Sequence, residues 1–255
     1  MEISLIPILS SVLVIGLRVA GLMIFAPFFG SASIPPRIKA VLVIAITAVL
    51  YPVYAPRLQA MPMPNWTLLV ASETLIGIAI GIATNVVFEG VQMAGQVLSV
   101  QMGYSLVNIL DPNTQVDSTV VAFFHQSLAM LIFLGLDVHH WILRAVAHSF
   151  DYLPPGSATL NPMFAKAMLH EGAVVLDLGI QIAAPVLAAT LLADMVLGLM
   201  GKASPQMPLL LLGPAIKSML GVVVLSVTIQ YWPHLFQRYF SESIAYTDRL
   251  LHLAR

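Results

Sequence analysis

The chain has 255 residues, of which 59% are hydrophobic and only 9% charged, with a net charge of −1. A soluble domain typically carries about 25% charged residues; with a mean hydropathy of +0.92 this chain cannot bury its apolar side chains in one water-surrounded core, so the bilayer is its expected solvent. The charge balance offers no basic surface for nucleic acid, and the absence of cysteine excludes disulfides, thiolate metal sites and a cysteine nucleophile.

Six hydrophobic segments follow in chain order, and a crossing helix needs about 20 residues. The first is Leu5–Phe29. Met1 to Leu17 has Glu2 and no Lys or Arg, so it lacks the basic start of a secretory signal and reads as a retained membrane segment. Gly30 to Arg37, with its Pro35-Pro36 pair, is a turn-rich stop. The second segment, Ala40–Tyr54, is short, and Pro52, Pro56, Pro62 and Pro64 punctuate the connection after it. The third, Trp66–Phe88, leads into a polar, uncharged stretch that ends at the turn Asp111-Pro112-Asn113. The fourth, Val120–Leu136, is also short; short segments suit hairpins as well as plain crossings. Asp137 to Ala173 is a mixed, partly helical connection closed in its middle by Leu153-Pro154-Pro155-Gly156. The fifth and sixth are Val174–Met200 and Pro208–Trp232, with Pro205 and Pro208 bracketing the tight connection between them. No region reads as a soluble domain. If all six cross, the N-terminal side carries Arg57, Arg144, Lys166, Arg238, Arg249 and Arg255 against Arg37, Lys39 and Lys202, which favours both ends in the cytoplasm.

Arg18, Asp194 and Lys217 lie inside apolar segments, and Glu73 and Glu89 flank the third. A charge at mid-bilayer costs about 2.5–3.5 kcal/mol on insertion scales, so such groups face protein or water. One reading is structural ion pairs, with Asp194–Lys217 and Arg18–Glu73 as candidates. A proton relay is a second, and segments that never face lipid are a third. Gly77 and Gly81 form a small-residue pattern, and Gly198 and Gly201 follow Asp194; both suit close helix packing within the chain or against other subunits.

His140, Arg144 and His148 fall at i, i+4 and i+8, one helix face, with His139 and Asp137 nearby. The face reads as solvated and interfacial, and no metal ligand set is assigned. His125, alone in an apolar run, reads as packed. There is no GxSxG elbow, no HExxH and no phosphate loop, so no catalytic group and no cofactor are expected.

Gln92, Gln96 and Ser99 fall at i, i+4 and i+7 and make a polar stripe on a helix, tolerated at membrane depth where it lines a cavity or is buried in protein. An ordinary amphipathic surface loop is the alternative. Gln92-Met93-Ala94-Gly95-Gln96, Gln101-Met102-Gly103 and Asp111-Pro112 resemble the signature of the FliR family of type III export proteins, which has virulence-system counterparts. Other pieces agree in order: Phe28 to Ser31 before Ile34 to Arg37, Glu73 with Gly77, Gly135 to Asp137 before His139, Phe150 to Gly156, and Asp194 through Gly198 to Met207.

The resemblance implies an all-α, polytopic membrane fold of bent helical hairpins. Residues 1–170 would be a FliP-like half and 171–255 a FliQ-like half. It implies a non-enzymatic subunit of a flagellar protein export gate in the bacterial inner membrane. Its implied partners are FliP-like and FliQ-like subunits, an FlhB-like specificity switch, unfolded export substrates and lipid. It also implies a pore plug at about 101–117, made of Gln101, Met102, Gly103, Tyr104, Ser105, Leu106, Val107, Asn108, Ile109, Leu110 and Asp111. Arg18, Glu73, Glu89, Asp194 and Lys217 would then be buried charges at interfaces. A virulence-type export subunit and a self-contained solute transporter are the alternative functions.

Overall fold

A computed structural model describes residues 5–31, 34–59, 65–104, 120–156, 162–204, 206 and 209–253. Among them every regular element is helical. The elements are α1 (Leu5–Phe25), α2 (Pro36–Gln59), α3 (Trp66–Gln101), α4 (Val120–Gly135), α5 (Val138–Tyr152), α6 (Pro162–Ala203) and α7 (Leu209–Thr228). A 3₁₀ turn, Ile229–Tyr231, then leads into α8 (Trp232–Leu253). Among the described residues five stretches are long and apolar enough to cross a membrane, or six if α4 and α5 are counted together as one broken span. The chain is therefore an all-α, polytopic membrane protein.

The helix ends follow local chemistry. Pro27 cannot continue α1, and the chain turns through Ala26–Gly30 with Phe28 at φ 66°. Pro36 opens α2, where a missing N–H costs nothing. Pro52 and Pro56 do not end this helix, contrary to the breaks expected there; they lie inside it, as Pro185 does in α6 and Pro214 in α7. Proline is tolerated inside membrane helices because local adjustments and neighbouring groups satisfy the freed carbonyls. At the end of α5, Leu153 is extended and its N–H bonds back to Ser149 O, and Gly156 takes φ 75°.

Two helices outrun their apolar segments. α3 carries the polar stretch as helix to Gln101, and its 36 residues span about 54 Å at 1.5 Å per residue. α6 has 42 residues, about 63 Å. The bilayer core is about 30 Å thick, so neither helix fits inside it as a perpendicular crossing. α8 was not among the six apolar segments. Its buried side chains, Trp232, Phe236, Tyr239, Phe240, Ser243, Thr247 and Leu250, recur at three- and four-residue steps, with polar residues between.

Two compact units form, each discontinuous in sequence. The first comprises residues 1–86, 137–172 and 240–255. In it α1 and α3 cross with their backbones in contact: a Cβ on Gly77 would collide with Arg18 O, one on Gly81 would lie 2.9 Å from Leu22 O, and one on Gly21 2.5 Å from Thr74 O. The Gly77/Gly81 pattern thus packs within the chain. The second comprises residues 87–136 and 173–239. Here Gly90 of α3 meets Leu178 of α6, and Gly95 meets Ala122 of α4. Gly198, by contrast, faces open space.

Candidate functional site

In the first unit Arg18 is fully buried, and all three of its guanidinium nitrogens have hydrogen-bond partners. Nε donates to Glu73 Oε2 at 2.8 Å, and one terminal nitrogen lies 2.7 Å from the same oxygen. The other terminal nitrogen donates to Ser149 Oγ at 3.0 Å, while the one beside Glu73 also donates to Leu153 O at 3.1 Å. The Phe150 ring lies 4.1 Å from the guanidinium carbon. Glu73 Oε1 in turn accepts the Gly156 N–H at 3.2 Å. The pair expected from sequence is therefore the centre of a clamp joining α1, α3, α5 and the Leu153–Gly156 turn. Arginine suits this role because its planar fork presents five donors in fixed directions.

In the second unit Asp194 of α6 holds two partners. Lys217 Nζ lies 3.1 Å from Oδ1, and Gln101 Nε2 donates to Oδ2 at 3.1 Å. Pro214, Lys217 and Gly221 lie at i, i+3 and i+7, one face of α7. That face seats the end of α3: Gly103, at φ 87°, lies over Pro214, and Met102 packs where Gly221 has no side chain. A Cβ on Gly221 would sit 2.6 Å from Met102 Cε.

Beside this seat is an apolar cleft of about 420 Å³. Met102, Tyr104, Val120, Val121, Phe124 and Leu225 are among its lining residues. Met102 and Tyr104 belong to the segment expected to form the plug. Ser105, Leu106, Val107, Asn108, Ile109, Leu110 and Asp111 lie outside the described residues, so the plug itself is not placed.

Of the polar stripe, Gln92 is half-buried, Gln96 exposed and Ser99 buried, with Ser99 Oγ donating to Gly95 O at 2.7 Å. Glu89 is exposed in this chain. His125 is packed as its sequence context predicts: Nδ1 is 2.7 Å from Val121 O, and the ring lies tilted against Trp232 with centroids 4.9 Å apart. His148 sits 3.6 Å from Asp151, which also accepts from Tyr54 Oη at 3.4 Å.

Sequence reading missed Asp177, inside the fifth segment. Its Oδ2 accepts from Tyr239 Oη at 2.7 Å and from Gln181 Nε2 at 3.0 Å. The Asp177/Gln181 spacing of i, i+4 was the available signal. Ser149, the hydroxyl on Arg18, carried no signal of its own, since serine is ordinary in a half-polar helix.

A polytopic helical membrane protein with one sealed charge clamp and one open charge cluster is the class these features define. The profile of Bacterial export proteins, family 1, matches residues 9–243, and the chain belongs to that family. It is 29% identical over 233 residues to "Flagellar biosynthetic protein FliR" of Escherichia coli (strain K12), covering 88% of each chain. It is 26% identical over 255 residues to the protein of the same name from Bacillus subtilis (strain 168), covering 98% of each. With that from Aquifex aeolicus (strain VF5) the identity is 26% over 216 residues, 83% of this chain and 82% of the other.

Proposed function

We propose that the chain is a component of the flagellar protein export apparatus in the bacterial inner membrane, and more finely a pore-forming subunit of its export gate. The observation that carries this reading is membership of the export family across residues 9–243 together with near full-length similarity to FliR proteins. Exposed apolar side chains such as Leu131, Leu169, Leu199 and Met219 need lipid or neighbouring subunits to cover them.

The partners in this reading are FliP-like and FliQ-like subunits in one helical assembly and an FlhB-like specificity switch. The cargo is unfolded flagellar protein. Residues 1–170 correspond to the FliP-like half and 171–255 to the FliQ-like half. The segment 101–117 is the plug. In it Gln101, Met102 and Gly103 form the fixed root, because they are held by Asp194, Gly221 and Pro214. The part beyond Tyr104 supplies the seal, its Leu, Val and Ile residues suiting closure of a narrow pore by excluding water.

Co-purification tests the assembly. The tagged chain is expected to bring down FliP-like and FliQ-like subunits, and a chain that stays alone but transports a solute in liposomes is a transporter instead. Deleting Tyr104–Asn108 tests the plug. Ion leakage across the inner membrane is expected to rise; unchanged leakage together with unchanged export removes the plug role.

A further inference from the structure

The start of α5 has a geometry that neither the clamp nor the plug uses. Asp137 stands at the N-cap of this helix with φ 56° and ψ 26°, in the left-handed region. Aspartate tolerates that conformation better than most residues because its short polar side chain bonds locally. At an N-cap its carboxylate ordinarily accepts an N–H from the first turn. Here it caps nothing. Instead Oδ1 lies 3.3 Å from His140 Nδ1 and 3.9 Å from His139 Nε2. The two imidazole rings have centroids 4.0 Å apart. One ligand atom from each of the three residues lies within 4.8 Å of the other two.

We propose that Asp137, His139 and His140 form a binding site for a divalent metal of the zinc class. Two imidazole nitrogens and a carboxylate oxygen are the donors of a three-ligand zinc site, whose remaining position is taken by water. Bonds of about 2.0–2.1 Å in a tetrahedron put donors roughly 3.3 Å apart. The Asp137–His140 pair is already at that separation, and the other two pairs, within 4.8 Å, would have to close on it. Imidazole and carboxylate exclude a preference for calcium or magnesium, which take oxygen sets. The side chains of Asp137 and His140 are 68% and 58% exposed, so no part of this chain covers them. In sequence Asp137 and His139 flank the face of His140, Arg144 and His148, which reads as solvated rather than ligating. The convergence of Asp137, His139 and His140 depends on the left-handed turn at Asp137. Bound metal would pin the first turn of α5, where the helix lacks a side-chain cap.

The test is zinc titration by calorimetry of the purified chain in detergent, carrying a tag without histidine. Saturable binding of one ion per chain is expected. His139→Ala, His140→Ala and Asp137→Asn should each weaken it by at least as much as the roughly 10–100-fold lost when an outer-shell partner is removed. His148→Ala, which removes the other histidine beside an aspartate, should leave affinity unchanged. Weak non-saturable binding, equal loss in His148→Ala, or unchanged affinity in Asp137→Asn overturns the site and leaves Asp137 as an ion-pair partner of two histidines. A second measurement needs no variant. On the unaltered chain, zinc should protect His139 and His140 from acylation by diethylpyrocarbonate while His148 stays reactive. Equal protection or none also overturns it.

Discussion

Arg18–Glu73 and Lys217–Asp194 are both ion pairs between apolar helices, yet the first has both side chains at 0% exposure and the second has 18% and 42%. Arg18 spends its donors on a carboxylate, a hydroxyl and a carbonyl, all inside one unit. Asp194 divides its oxygens between a lysine and a glutamine and still meets the surface. The contrast separates two uses of charge in an apolar protein. A sealed pair fixes the geometry of the helices it joins. An open pair leaves its charges within reach of other partners.

Breaking the sealed pair should have the largest effect. Arg18→Leu leaves Glu73 buried with its charge unpaired, a loss of about 3–5 kcal/mol, and folded protein should disappear from size-exclusion profiles in detergent. Arg18→Met combined with Glu73→Leu should recover part of it, since the uncompensated charge is gone. If the single variant folds normally, the clamp is not structural.

Next is the crossing that brings Arg18 to Glu73. Gly77→Ala drives a methyl into the Arg18 carbonyl, and overpacking of this kind costs about 1–3 kcal/mol. Thermal unfolding in detergent should register the loss, and an unchanged midpoint would mean that α1 and α3 separate easily.

The open pair predicts the reverse balance. Lys217→Gln should change stability by only about 0–1 kcal/mol, as partly exposed pairs do. Motility in soft agar should fall by more than that small change explains. A large loss of stability with normal motility would make Lys217–Asp194 a second structural clamp.

Gly198→Ala is the one substitution expected to stabilise the isolated chain. The site is open, and alanine is favoured over glycine inside a helix by about 1 kcal/mol, so the chain should be slightly more stable. Gly198→Leu sharpens the point: the chain should stay folded, while co-purification of partner subunits should weaken if a helix packs on this glycine.

Several parts of this architecture were legible because they depend on local chemistry. Apolar runs placed the cores of α1, α2, α3, α4, α6 and α7, and the i, i+4, i+7 spacing of Gln92, Gln96 and Ser99 marked the polar stretch as helix. The pairs Arg18–Glu73 and Asp194–Lys217 were readable because an apolar segment gives a charge few acceptable partners. Pro52 and Pro56 misled, since a rule drawn from helices in water overstates their power to end a helix in an apolar setting. α8 was missed because its buried stripe is interrupted by Arg, Glu and Asp, so a search for continuous apolar runs passes over it.

The sequence by itself determined the solvent, the helical class and the family, because hydropathy, helix periodicity and ordered motifs are properties of the chain read in one dimension. Only the tertiary structure decided that Ser149 and Leu153 O complete the Arg18 clamp, that Gly77 packs inside the chain while Gly198 does not, and that Asp137 turns its carboxylate to His139 and His140. Each of these depends on distances between atoms far apart in sequence or on one backbone angle, and neither is encoded in residue type or spacing alone.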